Sequence, residues 1–158
     1  MRIYTKTGDN GKSDTISDED LSKDSCVFDV LGTIDELSAY LGVAKSEADK
    51  ELQSILGRLQ TQLIGVAAYA AGGDKVDFNL FTLENEKLID EFSAKINLPD
   101  TIIHCGKTLI GARIDVSRTI ARRLERVVVA SKKLGESLAY FNRLSDLLFV
   151  LARVADER

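Results

Sequence analysis

The sequence predicts an all-α fold, a single bundle of five helices with short connections. Apolar residues recur every three or four positions in five separate segments, which is the spacing of one helix face. Only one proline, Pro99, occurs in the 158 residues, so little interrupts these segments. The chain is 44% hydrophobic, enough for one sizeable core. No Gly/Ser-rich linker divides it, so we expect one domain over residues 1–158.

Long apolar stripes predict the first two helices. The first stripe is Val30, Ile34, Leu37, Leu41 and Ala44, and the second is Leu52, Leu56, Leu59, Leu63, Val66 and Ala70. Both advance by alternating steps of four and three residues, as a buried helix face does. Asp49 is the candidate N-cap of the second helix, and Gly72-Gly73 is expected to end it.

Three more helices are predicted downstream. The third is expected over about 82–97, from Thr82, with Asn85 or Glu86 at the capping-box distance, until Pro99 stops it. The predicted apolar faces are Leu83, Leu88, Ile89 and Phe92 for the third helix, Leu109, Val116, Ile120, Leu124 and Val127 for the fourth, and Phe141, Leu144, Leu148, Leu151 and Ala155 for the fifth. Gly135 marks the last break.

Residues 1–25 lack a helical pattern, so we expect an ordered loop or a mobile arm there, ahead of a helical bundle over 26–158. Hydroxyls, two lysines and two glycines are concentrated in residues 5–13. Backbone N–H groups, hydroxyls and ammonium groups of this kind can hold a polyphosphate. The GxxxxGK[ST] spacing of a Walker A loop is absent, and a plain polar turn over residues 9–11 is the alternative.

Charge and cysteine content exclude several classes of function. A formal net charge of -4 argues against general nucleic-acid binding, which needs a positive footprint. Cys26 and Cys105 are far apart and form no CxxC pair, so neither a disulfide framework nor a zinc site is predicted, and no metal ligands are assigned. The N-terminus has no apolar signal region and no apolar run reaches about 18 residues. We expect a cytoplasmic protein with no membrane partner.

A cluster of charges lies on the fourth predicted helix. At about 100° per residue, Arg118, Arg122 and Glu125 fall within about 60° of one another. One interpretation is a solvated face with an Arg122–Glu125 pair. The other is a phosphate site, in which arginine forks bind phosphate oxygens and Glu125 holds one fork in place. Both remain open from the residues alone.

Polar residues also share a face of the fifth predicted helix. Asn142, Asp146 and Arg153 lie opposite its leucine stripe, and they are either solvent-exposed or in contact with a ligand or a subunit. Asp35 lies beside the stripe of the first helix, where an exposed helix acid is the plain interpretation.

Five blocks together resemble the PduO-type ATP:cob(I)alamin adenosyltransferases in order and approximate spacing. The blocks are residues 5–11, 23–24, 32–37, 118–126 and 142–149. The resemblance covers nearly the whole chain, and the final segment, which reads YFNRLSDLLFVLAR over 140–153, adds most to its specificity. It implies a transferase that moves the 5′-deoxyadenosyl group of ATP to cob(I)alamin, giving adenosylcobalamin and triphosphate.

The resemblance also implies a homotrimer of five-helix bundles, with the active site between neighbouring subunits and an ATP-binding arm over residues 1–25. ATP and cobalamin are the implied substrates, Mg²⁺ accompanies the triphosphate, and a cobalamin reductase and an adenosylcobalamin-dependent enzyme are candidate partners. The ATP-binding residues carried over by position are Thr5, Lys6, Thr7, Gly8, Ser13, Lys23, Arg122, Arg123, Glu125, Arg126 and Asn142, with Lys23 and Arg122 assigned to catalysis. Asp35 is expected to pair with Arg118 across the interface and, with Ile102, to shape the corrinoid pocket.

Several positions depart from the pattern of that family. Ile102 replaces a Phe that closes the lower face of the corrinoid, the usual Pro-Gly-Gly-Ser turn reads CGKT over 105–108, a common His is Asp115, and an Asn is Ser38. His104 either ligates cobalt or is exposed to solvent. The alternatives are therefore a non-catalytic ATP- or corrinoid-binding carrier or sensor, and a purely structural bundle. A di-iron bundle is excluded because its paired motifs need two histidines and the chain has one.

Overall fold

A computed structural model of the chain describes residues 3–98 and 101–158. These residues form five α-helices, α1 (Cys26–Lys45), α2 (Lys50–Ala70), α3 (Phe78–Ser93), α4 (Leu109–Ser131) and α5 (Leu138–Glu157). A short 3-10 turn, Gly135–Ser137, precedes α5. Two short antiparallel strands, β1 (Lys12–Ser13) and β2 (Leu21–Ser22), form a small hairpin ahead of the bundle. The predicted all-α five-helix fold is confirmed.

The apolar stripes of α1 and α2 face the core as predicted. Every predicted residue of the α1 stripe is buried, and so are those of the α2 stripe from Leu52 to Val66. Asp49 is the N-cap of α2, since its carboxylate accepts a 3.0 Å hydrogen bond from the Leu52 N–H. The helix ends at Ala70, just before Gly72, whose φ of +95° is readily adopted by glycine.

Helix α3 begins four residues earlier than predicted. Asp77, and not Thr82, is its N-cap, because the Asp77 carboxylate accepts a 3.0 Å hydrogen bond from the Leu80 N–H. Thr82 lies inside the helix, where its hydroxyl donates to the Phe78 carbonyl. The predicted face is wrong at Leu83, which is exposed, and α3 already ends at Ser93. The predicted stop at Pro99 lies outside the described residues.

Helix α5 is the centre of the bundle. It packs against α3 and α4, while α1 packs against α2 and α4. The predicted α5 stripe is buried throughout. The α4 stripe is correct at Ile120 and Leu124 but wrong at Leu109 and Val116, which are exposed. None of the helices in the described part of the chain combines the length and apolarity needed to cross a bilayer.

Candidate functional site

The N-terminal arm, described from residue 3, is organised around Lys23. The Lys23 N–H donates to the Gly11 carbonyl at 2.9 Å, and its ammonium donates to the Gly8 carbonyl at 2.7 Å. A Cβ on Gly8 would lie 2.8 Å from the Lys23 Nζ atom, so any larger residue would push the ammonium away. Two predicted phosphate-binding positions, Gly8 and Lys23, are therefore in direct contact.

Hydroxyl and charged side chains of the same arm line a polar cavity. The Oγ1 atoms of Thr5 and Thr7 lie 2.8 Å apart, and both side chains are exposed. A cavity of about 320 Å³ is lined by Thr7, Lys12, Ser13, Asp14 and Asp20. Lys12 forms an ion pair with Asp20, so part of the positive charge of the arm is already neutralised within the chain.

The arm is anchored on the end of α2. The N–H groups of Ile16 and Ser17 donate to the Ala71 carbonyl at 2.9 and 3.1 Å. These bonds satisfy a carbonyl that a helix terminus leaves without an intrahelical partner. The arm therefore has a fixed attachment to the bundle.

The predicted nucleotide-binding residues of α4 and α5 meet at one contact. The Asn142 side-chain amide donates to Glu125 Oε1 at 3.3 Å, and Arg143 donates to Asn142 Oδ1 at 2.6 Å. Glu125 therefore contacts Asn142, and neither the predicted Arg122–Glu125 pair nor a Glu125-held arginine fork is present among the described residues.

The three arginines of this part of α4 are exposed. Arg123 pairs with Glu36 of α1, and Arg126 donates to the Arg122 carbonyl at 3.1 Å. Within residues 3–98 and 101–158, Arg122 forms no ion pair. Over the same ranges, no hydrogen bond or ion pair joins the arm to these arginines, so no polar contact links the two predicted halves of the ATP site there.

The predicted corrinoid-pocket residues lie on three segments: Asp35 on α1, Ile102 in the loop before α4, and Arg118 on α4. Arg118 Nε donates to Asp115 Oδ1 at 2.8 Å, so the partner of Arg118 within the chain is Asp115. Asp35 is exposed, and none of the described residues forms an ion pair with it. Ile102 is 92% exposed, and His104 is exposed in the same loop. A mostly apolar cavity of about 280 Å³ is lined by Cys105, Gly106, Ala112, Asp115, Val116 and Thr119.

The charge state of Asp115 is fixed by its neighbours. Burial alone raises the pKa of this carboxyl, because the charged form loses its hydration. Hydrogen bonds from the Arg118 guanidinium and from the Cys105 thiol, and the nearby Arg153, outweigh burial and hold the pKa below its ordinary value of 3.8. Asp115 is therefore an anion at neutral pH and faces two cations.

The sequence pattern does not predict that the side chain of Arg153 is buried. The sequence places Arg153 on a polar face with Asn142 and Asp146, either exposed or in contact with a ligand or a subunit. Its side chain is instead only 7% exposed and pairs with Asp115 and Asp156. The sequence does contain a signal for this burial, because α4 and α5 each carry an aspartate and an arginine three positions apart.

In the described part of the chain, no group of three His, Cys, Asp or Glu side chains is placed to hold a metal ion.

A match to a family model shows to which known proteins this chain is related. The model described as cobalamin adenosyltransferase matches residues 3–155. The chain belongs to this family. Among curated members, it is 35% identical over 170 residues to a corrinoid adenosyltransferase of Citrobacter freundii, covering 98% of this chain and 95% of that one. It is 34% identical to the Homo sapiens corrinoid adenosyltransferase MMAB, covering 98% and 68% of the two chains.

Solved structures of the family have the same fold. A variant of the PduO-type ATP:corrinoid adenosyltransferase from Lactobacillus reuteri, complexed with cobalamin and ATP, superimposes with a TM-score of 0.92. The two sequences are 29% identical, and the match covers 99% of this chain and 94% of the other. A second variant of that enzyme, complexed with ATP, gives a TM-score of 0.90 at 29% identity and covers 98% and 94% of the two chains.

Proposed function

We propose that this chain is an ATP:corrinoid adenosyltransferase, which transfers the 5′-deoxyadenosyl group of ATP to cob(I)alamin. The observation that carries the proposal is the family match over residues 3–155. Similar proteins are named corrinoid adenosyltransferases, and a similar solved structure holds both cobalamin and ATP. The exposed arginines of α4 and the lysine-bearing arm supply the cationic groups that a triphosphate requires.

The reaction is a displacement at the ribose C5′ carbon. The cobalt(I) electron pair of cob(I)alamin attacks C5′, a cobalt–carbon bond forms, and the bond from C5′ to the triphosphate oxygen breaks. The triphosphate leaves with that electron pair, so no proton has to be removed from the nucleophile. The protein must align the reactants, neutralise the charge that develops on the triphosphate and exclude water from the cobalt.

The nucleotide half combines the arm with the α4–α5 contact. We assign triphosphate binding to Thr5, Lys6, Thr7, Gly8, Ser13 and Lys23, and completion of the nucleotide site to Arg122, Arg123, Glu125, Arg126 and Asn142. Lys23 and Arg122 are assigned to catalysis because their charges can stabilise the leaving triphosphate. The contact between Lys23 and Gly8 and the unpaired guanidinium of Arg122 among the described residues support these roles.

The corrinoid half is assigned to Asp35, Arg118 and Ile102. Arg118 uses its Nε–H for Asp115 and keeps further guanidinium donors for a group outside the chain. We propose that this group is Asp35 of a neighbouring subunit in a homotrimer, with the active site between subunits. Such an arrangement brings arm and arginines together from two chains, whereas no direct bond joins them among the described residues of one chain.

Mg²⁺ is proposed to bind with the triphosphate, mainly through phosphate and water oxygens. The hydroxyls of Thr5 and Thr7, 2.8 Å apart, are hard oxygen donors of the type that suits this ion. The ion would neutralise phosphate charge.

We place the protein in the cytoplasm, where free thiols such as Cys26 and Cys105 stay reduced. We propose a cobalamin reductase and an adenosylcobalamin-dependent enzyme as its partners.

A second function deserves a test because the loop over 102–108 departs from the family pattern. In this alternative the chain binds ATP or a corrinoid without converting them, as a carrier or sensor. Anaerobic incubation with ATP and chemically reduced cob(I)alamin distinguishes the two functions. Repeated formation of adenosylcobalamin per active site supports the enzyme, whereas saturable binding of ATP or corrinoid without product supports the alternative.

The nucleotide site is tested by calorimetric measurement of ATP binding to Arg122→Ala. Loss of one charge-assisted hydrogen bond to phosphate should weaken ATP binding by about 10- to 100-fold. Arg113→Ala is the matched control, because Arg113 is also an α4 arginine but pairs with Glu47. Calorimetry should show ATP affinity near wild type for Arg113→Ala. Wild-type affinity in a folded Arg122→Ala variant would reject the assigned nucleotide site.

A further inference from the structure

Four charged side chains form a continuous network between the first turns of α4 and the last turns of α5. Asp115 Oδ1 accepts from Arg118 Nε at 2.8 Å, and Asp115 Oδ2 pairs with Arg153 Nη2. Arg153 Nη2 also lies 3.2 Å from Asp156 Oδ2. Two carboxylates thus balance two guanidiniums, and three of the four side chains are almost fully buried. Buried charges persist at low cost only when paired and hydrogen-bonded, so the arrangement is strongly constrained.

The network continues into the loop formed by residues 101–108. Asp156 Oδ1 accepts two hydrogen bonds from Thr108, 3.0 Å from its N–H and 2.9 Å from its hydroxyl. The Thr108 oxygen in turn accepts from the Gly111 N–H at 3.0 Å and caps α4. A Cβ on Gly111 would lie 2.2 Å from Asp156 Oδ1, so glycine is required for this approach. The end of the loop is therefore held by a buried carboxylate of α5.

Asp115 is the member of the network that contacts both arginines. One of its oxygens fixes Arg118, and the other is connected through Arg153 and Asp156 to Thr108. Cys105 Sγ, in the middle of the loop, lies 3.9 Å from Arg118 Nη2, which gives a second connection between loop and arginine. A neutral side chain at position 115 could not balance two guanidiniums at once.

We infer that Asp115 is a positioning residue for corrinoid binding: its buried carboxylate fixes Arg118 and couples that arginine, through Arg153 and Asp156, to the 101–108 loop that carries Ile102. This inference rests on the proposed function, which places Arg118 and Ile102 at the corrinoid.

Asp115→Asn tests the inference, because it keeps the shape of the side chain and removes its charge. Amide hydrogen exchange in residues 101–108 should accelerate by about tenfold, as expected when a strong hydrogen bond that holds a segment is lost. Binding of cob(II)alamin in the presence of ATP should weaken by about fivefold or more, with less of the bound cobalt in the four-coordinate state. ATP affinity should stay within about twofold of wild type. Glu91→Gln is the control, since Glu91 of α3 forms an exposed ion pair with Lys95, which lies just after the end of that helix.

Thr108→Val provides a second test that leaves all four charges in place. It removes the hydroxyl that contacts Asp156 and caps α4, so exchange in 101–108 should accelerate and corrinoid binding should weaken, although less than in Asp115→Asn. Thr108→Ser keeps a hydroxyl and should restore both quantities. If Asp115→Asn does not fold, this pair of variants decides the question.

Three outcomes would overturn the inference. The first is unchanged loop exchange and corrinoid affinity in folded Asp115→Asn or, where that variant does not fold, in Thr108→Val. The second is a parallel loss of ATP and corrinoid affinity with faster exchange in every helix, which indicates general destabilisation. The third is wild-type protein that binds no corrinoid although Asp115→Asn still changes loop exchange. That last result also refutes the proposed function, and the corrinoid-binding measurement on the wild type alone is enough to recognise it.

Discussion

Arg153→Met removes the arginine at the centre of the α4–α5 network and keeps a long, unbranched side chain. Arg153 pairs with Asp115 and Asp156, and its guanidinium carbon lies 5.5 Å from the centre of the Phe149 ring. The methionine can fill much of the same space and contact the ring. It cannot compensate the two carboxylates, and among the described residues only Arg118 then remains beside Asp115.

The expected loss of stability is large. Removing one partner of a buried ion pair costs about 3–5 kcal/mol, because the remaining charge stays buried without compensation. For a chain of 158 residues, 1 kcal/mol shifts Tm by about 2–4 °C, so Tm should fall by about 6–20 °C. Arg143→Met is the matched control on the same helix: its 2.7 Å pair with Asp146 has side-chain exposures of 36% and 43%, and its loss should cost at most about 1 kcal/mol.

The loss should also depend on pH. In the wild type the pKa of Asp115 is held below 3.8, so its pairing stabilises the fold above about pH 4 and is lost as the pH falls through the folded-state pKa. In Arg153→Met one of the cations is gone and burial still opposes the charge, so the pKa of Asp115 rises. Protonation then relieves part of the penalty, and the Tm difference between wild type and variant should narrow from about pH 7 to about pH 4.5.

Calorimetric melts at fixed protein concentration measure these quantities, because the proposed association of subunits would make Tm depend on concentration. Equal losses of Tm in Arg153→Met and Arg143→Met would show that the buried network contributes no more than a surface pair. A Tm difference independent of pH would show that no buried carboxylate is left uncompensated.

Two further predictions concern the proposed subunit interface and the lower face of the corrinoid. Asp35→Arg should dissociate the assembly or weaken corrinoid binding, because it places a cation opposite Arg118. Asp35→Glu keeps the negative charge and should retain both the assembly and corrinoid binding. If Asp35→Arg sediments as the wild-type assembly and binds corrinoid with unchanged affinity, the proposed pairing is wrong. Ile102→Phe should raise the fraction of four-coordinate cob(II)alamin formed with bound ATP and speed adenosylation, because a flat ring covers more of the corrin than an aliphatic side chain. If a folded Ile102→Phe variant shows neither change, Ile102 does not lie at the corrinoid site.

Helices with uninterrupted apolar stripes could be predicted closely from the sequence. In α1 and α2 the buried residues are aliphatic and follow the helical period, so the pattern and the Asp49 cap are sufficient. Helix α3 was misplaced because Asp77 and Thr82 are both able to cap a helix. Packing decides between them: starting at Asp77 buries Phe78, whose ring lies 5.9 Å from Tyr69 and 6.0 Å from Tyr140. Tyr69 lies on α2 and Tyr140 on α5, so neither contact enters the local pattern of α3.

The predicted buried face of α4 is only half correct, for a related reason. The buried residues of this helix include Gly111, Asp115 and Ser117, which a hydrophobic pattern assigns to the surface. The pattern places Leu109 and Val116 in the core instead, and both are exposed. Binary patterning assumes that polar residues face water, and it fails where polar residues are buried for a structural or functional purpose.

Arg153 shows what additional sequence information would have corrected that failure. A single charged residue on a helix face is properly assigned to solvent, because burying it alone costs several kcal/mol. The cost changes when a second helix supplies the opposite charge, and that depends on which helices pack together. Here α4 carries Asp115 and Arg118, α5 carries Arg153 and Asp156, and each pair is three residues apart. Such matched Asp–Arg pairs on two helices predicted to be neighbours indicate a shared, buried ion network, and in this chain Asp115 of that network also lines the mostly apolar cavity beside Cys105.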